Sequence, residues 1–256
     1  MEQVEYDSLL NLVADMGCAL MSSGAEIYRV EESMYRLLRA YDLPGAEVFA
    51  IPNCIIVSVN TPDGHACTRM RRIGAHGTDI ELLERCNDLC RTLCVQTPPL
   101  EEAKRRLADI PARRRRFSTA MNLFGYGLAP AFFAPLLGGS FLDMAAAFAV
   151  GLTVGLFQLY GGRFFVGNSF FHTALSSAAA SLAAVTLVRL GLGNDVDTIT
   201  ISALMMLVPG VALTNAMREI MAGDTISALS HAADALLCAV AIALGSAVSL
   251  AFIQML

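Results

Sequence analysis

The sequence predicts an integral membrane protein made of an α+β domain over residues 1–116 and an all-α bundle of about five membrane-spanning helices over residues 117–256. Hydrophobic residues make up 55% of the chain and charged residues only 16%, which is more apolar than an ordinary soluble protein. The charges are also unevenly distributed, because 15 of the 18 Lys and Arg and 17 of the 23 Asp and Glu lie at or before Arg116. The remaining residues carry nine charges, too few for a soluble surface.

The first part shows both helical and strand periodicity. Apolar residues recur at helical spacing over residues 4–22 and 26–41, and Pro44-Gly45 ends the second helix. Short runs over 48–51, 54–59 and 66–70 predict strands, with a hairpin turn at residues 60–64. Residues 78–95 and 100–108 predict two further helices, which completes an α+β pattern without a glycine-rich phosphate loop.

The second part contains five apolar stretches, each near the ~20 residues that cross a ~30 Å hydrocarbon core. Gly151 and Gly155 have GxxxG spacing, which favours close packing inside the bundle over a dedicated dimer face. Asp224 is expected to cap the segment that enters the fifth span. The predicted spans are residues 117–137, 141–160, 169–190, 198–217 and 231–253.

The basic residues predict the orientation in the plasma membrane. A run from Arg113 to Arg116 immediately precedes the first span, and basic residues collect on the cytoplasmic side. We therefore expect a cytoplasmic N-terminal domain and, after five crossings, a C-terminus outside. The net charge of −5 argues against a nucleic-acid partner. Residues 1–16 carry no Lys or Arg, so we expect no cleavable signal peptide and reduced thiols.

Two features of the first part invite a functional interpretation. Cys86, Cys90 and Cys94 recur every four residues, with His76 upstream, but a straight helix rarely presents three ligands to one metal ion. This spacing favours a buried thiol stripe, and no metal or cofactor is predicted.

The second feature begins at Ser23. The sequence Ser23-Gly24-Ala25-Glu26 fits a capping box, in which Glu26 bonds back to the cap amide. Arg29 lies within helical reach of Glu26 and Glu32. Local helix chemistry would explain this pattern without any functional role.

Two longer stretches resemble the threonine/serine exporter family in its split form, in which a larger subunit pairs with a separate, shorter membrane subunit. The first stretch is Gly24-Ala25-Glu26-Ile27-Tyr28-Arg29-Val30-Glu31, followed by Val48-Phe49-Ala50-Ile51-Pro52. The second is Leu207-Val208-Pro209-Gly210-Val211-Ala212-Leu213-Thr214-Asn215-Ala216, followed by Met221-Ala222-Gly223-Asp224. The resemblance covers essentially the whole chain, and its motif in the first part comprises Gly24, Glu26, Arg29 and Glu31.

The resemblance implies proton-driven export of small amino acids such as threonine and serine, together with a second membrane subunit in the lipid bilayer. Related split-form members resemble exporters of dicarboxylates such as succinate, so both substrate classes stay open, as does a homo-oligomer. Because the number of predicted spans is odd, a partner block of the same kind would have the opposite orientation in the membrane. Inverted repeats of this kind are a common basis for alternating access.

The fourth predicted span is the best candidate for a substrate site. Pro209 and Gly210 predict a kink or break that frees backbone groups, and Thr214, Asn215 and Arg218 follow. Arg218 could instead be a plain inner-face anchor. Asn122 in the first span could line the same cavity or bond between helices.

Proton coupling needs a titratable group. His172, Asp143 and Asp234 lie within or at the ends of predicted spans, and histidine is the side-chain type that titrates nearest neutral pH. Two other functional classes remain as alternatives, a membrane-tethered enzyme and a sensor or assembly subunit that acts through the cytoplasmic domain. The enzyme is weakly supported, because the polar residues of the first part form no recognised nucleophile-and-base motif.

Overall fold

The computed structural model describes residues 3–61, 64–74, 77–112, 117–161 and 168–254. The chain divides into two compact units. Unit 1 comprises Met1–Arg115 and Leu213–Ala232, and unit 2 comprises Arg116–Ala212 and Ala233–Leu256. A segment from the membrane-like half therefore belongs to unit 1.

The N-terminal segment of unit 1 combines four described helices with a three-stranded antiparallel sheet in the order β1-β2-β3. The predicted helices and strands are confirmed to within a few residues, and β2 and β3 form the expected hairpin. Pro62 and Asp63 of its turn lie outside the described residues. The elements are α1 (Gln3–Ser22), α2 (Ile27–Ala40), β1 (Glu47–Ile51), β2 (Cys54–Asn60), β3 (Ala66–Arg72), α3 (Ile80–Gln96) and α4 (Leu100–Ala112).

The core of unit 1 is formed by the apolar faces that the helical and strand periodicities of the sequence predict. Helix α2 buries one stripe, and alternate residues of β2 are buried as well. Helix α1 approaches both closely at Gly17, where an added Cβ would lie 2.6 Å from the sulfur of Met34. Each fully buried large apolar side chain in such a core contributes about 1.5–3 kcal/mol.

The cysteines of α3 form part of this core. Cys86 and Cys90 are buried and Cys94 is half-buried, as expected for a thiol stripe. Burial raises the pKa of Cys86 to about 11 and that of Cys90 to about 12, so both thiols stay protonated at neutral pH. His76 lies outside the described residues, and within the described part of the chain no three metal-ligating side chains come together.

Unit 2 is helical. Gly151 and Gly155 of α6 pack directly on Tyr126 of α5, and an added Cβ at Gly155 would lie 2.7 Å from the Cβ of Tyr126. The GxxxG spacing therefore serves packing within the chain, as expected. The helices are α5 (Thr119–Leu136), α6 (Phe141–Tyr160), α7 (Ser169–Arg189) and α8 (Val196–Leu204), together with parts of α9 (Gly210–Ala222) and α10 (Thr225–Gln254).

Three of the described helices are long and apolar enough to cross a membrane, namely Phe141–Tyr160, Ser169–Arg189 and Thr225–Phe252. The expectation of about five spans is not confirmed. Helix α5, at the first predicted span, is 18 residues long and contains Pro130 and Pro135. The fourth predicted span is two helices, because the regular α-helix ends at Leu204 and a new α-helix begins at Gly210. The predicted interruption at Pro209 is thus present.

Candidate functional site

A charged cluster in unit 1 joins the start of α2 to the segment Leu213–Ala232. We define it as Glu26, Arg29, Arg218, Glu219 and His231. Arg218 Nη1 donates a hydrogen bond to Glu26 Oε1, and Arg29 Nε lies 2.6 Å from Glu26 Oε2. His231 Nδ1 lies 2.7 Å from Glu219 Oε2. Two carboxylates, each paired with a basic side chain, therefore lie within one unit.

The turn between α1 and α2 places Glu26 in the cluster. Gly24 adopts a φ of +94°, and an added Cβ there would lie 3.0 Å from the carbonyl oxygen of Gly77. Glycine suits this position because it alone adopts positive φ without steric cost. Glu26 follows directly as the N-cap residue of α2.

The predicted capping box is wrong. The Ser23 hydroxyl donates to the carbonyl of Leu20, 2.7 Å away, and Glu26 makes no side-chain cap bond. The Glu26 carboxylate instead pairs with Arg218 and Arg29, because a guanidinium offers a charged partner that a backbone amide does not. The predicted reach of Arg29 to Glu26 is confirmed.

Because Glu26 is buried, its ion pairs are important for stability. The Glu26 side chain is only 7% exposed, and an unpaired carboxylate in such a place would be costly. The N-terminus of α2 and two guanidinium groups offset that cost. The contact between Arg29 Nε and Glu26 Oε2 is ionic only, because its angle does not meet hydrogen-bond geometry.

Glu219 and His231 are held together by the turn between α9 and α10. Gly223 has a φ of +86°, and the Asp224 amide donates to the Glu219 carbonyl at 2.9 Å. Asp224 also accepts a bond from the Ser227 amide at 3.1 Å, so the predicted cap at the start of α10 is confirmed. This turn returns His231 to the face of α9 that carries Glu219.

The carboxylate of Glu219 is incompletely satisfied. Its side chain is 1% exposed, and its Oε1 has no hydrogen-bond partner among the described residues. The buried Ser227 hydroxyl also has none. Buried polar atoms are nearly always paired, so the unused oxygen of Glu219 marks a place where a further proton could be accommodated.

Glu31, one turn after Ile27, is a half-buried neighbour of the cluster. Its Oε1 accepts a hydrogen bond from the Ala50 amide at 2.8 Å and so ties α2 to β1. Burial raises the pKa of the Glu31 carboxyl; the Ala50 amide opposes this rise and the negative charge of Asp224 adds to it.

The structure brings only Arg218, among the predicted substrate residues, into the charged cluster. Asn215 lies one turn earlier on α9 and is buried, whereas Thr214 is exposed. Pro209 ends the interruption, and Gly210 begins α9. Asn122 is half-buried on α5 of unit 2.

The predicted proton-coupling residues occupy different surroundings in unit 2. His172 Nε2 lies 3.0 Å from the Phe157 carbonyl oxygen. Asp234 is exposed on α10. Asp143 is buried and forms a capping box with Ser140 at the start of α6.

Sequence reasoning did not single out Glu219 and His231. One signal was available, because Glu219 is the only acidic residue between residues 198 and 223 and directly follows Arg218. His231 could be seen only as the edge of a predicted span. Its pairing depends on the turn at Gly223, which the apolar pattern does not reveal.

An α+β unit combined with several apolar membrane-length helices and a buried charged cluster defines a multi-pass membrane protein. A family model described as "Putative threonine/serine exporter" matches residues 11–253. The chain therefore belongs to the threonine/serine exporter family, as its sequence motifs suggested. Membership of a transporter family argues against an enzyme.

Curated relatives come from bacteria and fungi. The "Probable threonine/serine exporter" of Mycobacterium tuberculosis is 26% identical over 248 residues, which cover 94% of this chain and 46% of the relative. The "Pheromone-regulated membrane protein 10" of Debaryomyces hansenii is 29% identical over 224 residues, covering 80% of this chain and 21% of the relative. This chain thus spans between about a fifth and about half the length of these relatives. No solved structure matches it.

Proposed function

We propose that this chain is one subunit of a secondary, proton-coupled exporter of small amino acids such as threonine and serine, or of small carboxylates. It works with a second, shorter membrane subunit in the plasma membrane. The observation that carries this proposal is the pairing of Glu26 with Arg218, because it joins the first stretch that resembles the exporter family to a residue that lies between the two parts of the second stretch. A local role in helix capping does not account for that pairing.

The chemistry of the cluster suits small charged substrates. Guanidinium groups bind carboxylates, and threonine, serine and succinate all carry a carboxylate. Arg218 is about half exposed and could exchange Glu26 for a substrate carboxylate. We assign Asn122, Pro209, Gly210, Thr214, Asn215 and Arg218 as substrate-site candidates, since broken helices with polar groups are common in transporter sites.

In this proposal α5 and the interrupted pair α8 and α9 supply the two crossings beyond the three helices of membrane length. The N-terminal domain is then cytoplasmic and the C-terminus outside, in agreement with the basic residues before the first span. Such a five-span block needs a second block to form a complete pathway.

Everted membrane vesicles test the proposal. Vesicles that contain this chain and the short subunit should accumulate labelled threonine, serine or succinate when the lumen is made acidic. Vesicles with the short subunit alone should not. Equal accumulation in the two preparations would contradict a transporting role and favour an assembly or sensor subunit.

Two substitutions test the substrate site. Asn215→Ala and Arg218→Ala should each lower accumulation at least about fivefold, in the range of single hydrogen-bonded or charged contacts, while membrane assembly persists. Arg39→Ala, an exposed arginine on α2, is the matched control and should leave accumulation unchanged. If Asn215→Ala and Arg218→Ala both transport at the wild-type rate, the substrate site lies elsewhere.

A further inference from the structure

We propose that Glu219 and His231 form the proton-binding pair that couples substrate movement to the proton gradient. This inference rests on the proposed export function and adds the residues that carry the proton. Neither residue belongs to the predicted coupling set of His172, Asp143 and Asp234.

The geometry of the pair suits reversible protonation. His231 Nδ1 and Glu219 Oε2 are 2.7 Å apart, and the histidine side chain is 15% exposed while the glutamate is 1% exposed. Protons can therefore reach the imidazole, whereas the carboxylate is shielded from water. An imidazole and a carboxylate at hydrogen-bond distance can exchange a proton.

The unpartnered Oε1 of Glu219 is the second observation. A buried carboxylate with a purely structural role normally fills its acceptor sites with protein donors. Glu219 Oε1 has no hydrogen-bond partner in the described part of the chain. The carboxylate thus retains unused capacity for a proton.

Other charged groups belong to the same unit as the pair. Arg218 lies beside Glu219 on α9 and is paired with Glu26 of α2. Asp224 lies in the turn before α10, and α2 contributes Arg29 and Glu31. With Glu219 these groups comprise four acidic and two arginine side chains, an acidic excess of two before His231 is protonated. A proton on the imidazole reduces this excess.

The proton changes the link between two helices. In the protonated pair, an imidazolium on α10 faces a carboxylate on α9, so the pair is neutral overall. Loss of the proton leaves a neutral imidazole and a buried negative charge, which is costly unless the site opens or a cation enters. Substrate exchange at the neighbouring Arg218 and proton release at His231 can therefore influence each other through adjacent residues of α9.

The predicted coupling residues fit this role less well. Asp143 accepts hydrogen bonds from four donors, so its lone pairs are used in structure. His172 has a single carbonyl contact, and Asp234 is exposed on an apolar helix. None combines burial with a free acceptor beside an imidazole.

The test separates coupling from translocation by using Glu219→Gln, which keeps the shape and the hydrogen bond but cannot ionise. Two rates are measured in everted vesicles: accumulation driven by an acidic lumen, and exchange of labelled for unlabelled substrate without a gradient. Accumulation driven by the gradient should fall at least about tenfold, whereas exchange should stay within about twofold. A tenfold loss lies in the usual range for the coupling between two sites. His231→Gln should give the same split.

The control is Glu84→Gln, an exposed glutamate on α3, which should retain both rates. Wild-type driven accumulation in Glu219→Gln would overturn the proposal. If the wild type shows neither accumulation nor exchange of threonine, serine or succinate, the proposed export function fails instead.

A nuclear magnetic resonance measurement examines the pair without transport. The purified full chain carries four histidines, and ¹⁵N-labelled histidine would report the hydrogen bonding of each ring nitrogen. Glu219→Gln should change the signal of His231 Nδ1 more than the signals of the other three histidines, because Glu219 is the group that this nitrogen contacts. An unchanged His231 signal would contradict the pairing itself.

Discussion

Asp143 in unit 2 and Glu219 in unit 1 are both buried carboxylates, but their surroundings differ. Asp143 accepts bonds from the Ser140 amide at 2.9 Å, the Ser140 hydroxyl at 2.7 Å, and the amides of Asn194 and Asp195 at 2.6 and 3.0 Å. Glu219 has one partner, His231. Asp143 uses both of its oxygens in hydrogen bonds at the start of α6. Glu219, by contrast, has one carboxylate oxygen without a hydrogen-bond partner among the described residues.

The other polar groups of unit 2 extend this contrast. Ser181 and Ser202 donate to carbonyls one turn back in their own helices. Ser177 donates to the Ile242 carbonyl and lies 2.8 Å from the Ser246 hydroxyl, so it joins α7 to α10. These bonds satisfy polar groups within helices or between them, whereas the charged cluster of unit 1 draws on segments far apart in sequence.

The largest expected effect concerns packing in unit 2. Gly151→Ala would force a Cβ into the carbonyl oxygen of Tyr126, and backbone cannot move aside cheaply. We expect a loss of about 3 kcal/mol, the upper range for overpacking, in the unfolding free energy of the detergent-solubilised protein. Gly125→Ala is the control, since nothing lies within 4 Å of its Cβ position. Equal stability of the two variants would contradict the α5–α6 packing.

Much of the fold could be predicted because its signals are local. The buried stripe of α2, the three strands and the interruption near Pro209 follow from periodicity and from proline chemistry over a few residues. The split of the fourth predicted span into α8 and α9 was harder to locate, because its apolar composition continues across the break. Length and composition alone could not distinguish one crossing from two shorter helices.

The charged cluster could not be predicted in the same way. Glu26 and Arg218 are separated by 192 positions, and no local pattern specifies such a pairing. The capping-box rule considered only residues 23–26 and therefore assigned Glu26 to its own helix end. The tertiary contact with Arg218 takes the place of that local bond.

The second prediction tests the structural role of Asp143. Asp143→Ala removes the capping box and leaves the amides of Asn194 and Asp195 without their acceptor, so we expect a loss of about 2 kcal/mol. Denaturant unfolding measures it. Asp197→Ala, an exposed acid in the first turn of α8, is the comparison and should cost less than about 1 kcal/mol. Similar losses would show that Asp143 is not a structural anchor.

The third prediction concerns the buried ion pair of unit 1. Arg218→Met leaves Glu26 with Arg29 alone, and we expect stability to fall by about 1–2 kcal/mol. Arg36→Met breaks an exposed pair with Glu32 on α2 and should cost less than about 0.5 kcal/mol. Equal losses of stability in the two variants, measured by thermal unfolding, would contradict the role of the Glu26–Arg218 pair.

The smallest effect concerns Glu31. Its raised pKa means that the ionised carboxyl is disfavoured in the folded state, so its contribution to stability is present below the unfolded pKa and is lost as pH rises through the folded pKa. Glu31→Gln can keep the bond to Ala50, and its stability relative to wild type should therefore increase as pH rises from about 4 to 7. The gain should be under about 1 kcal/mol because the group is partly solvated. Melting temperatures across this range, with Glu84→Gln as the control, would reveal any opposite trend.

The most direct test of the central claim is a transport double-mutant cycle on Glu26 and Arg218. Gradient-driven accumulation is measured in everted vesicles for the wild type, Glu26→Gln, Arg218→Met and the double variant, each normalised to folded protein. Because the two residues act as one buried pair, the double variant should lose little more than either single variant. Multiplicative losses, or wild-type flux in all three variants, would contradict the claim that this cluster carries the function.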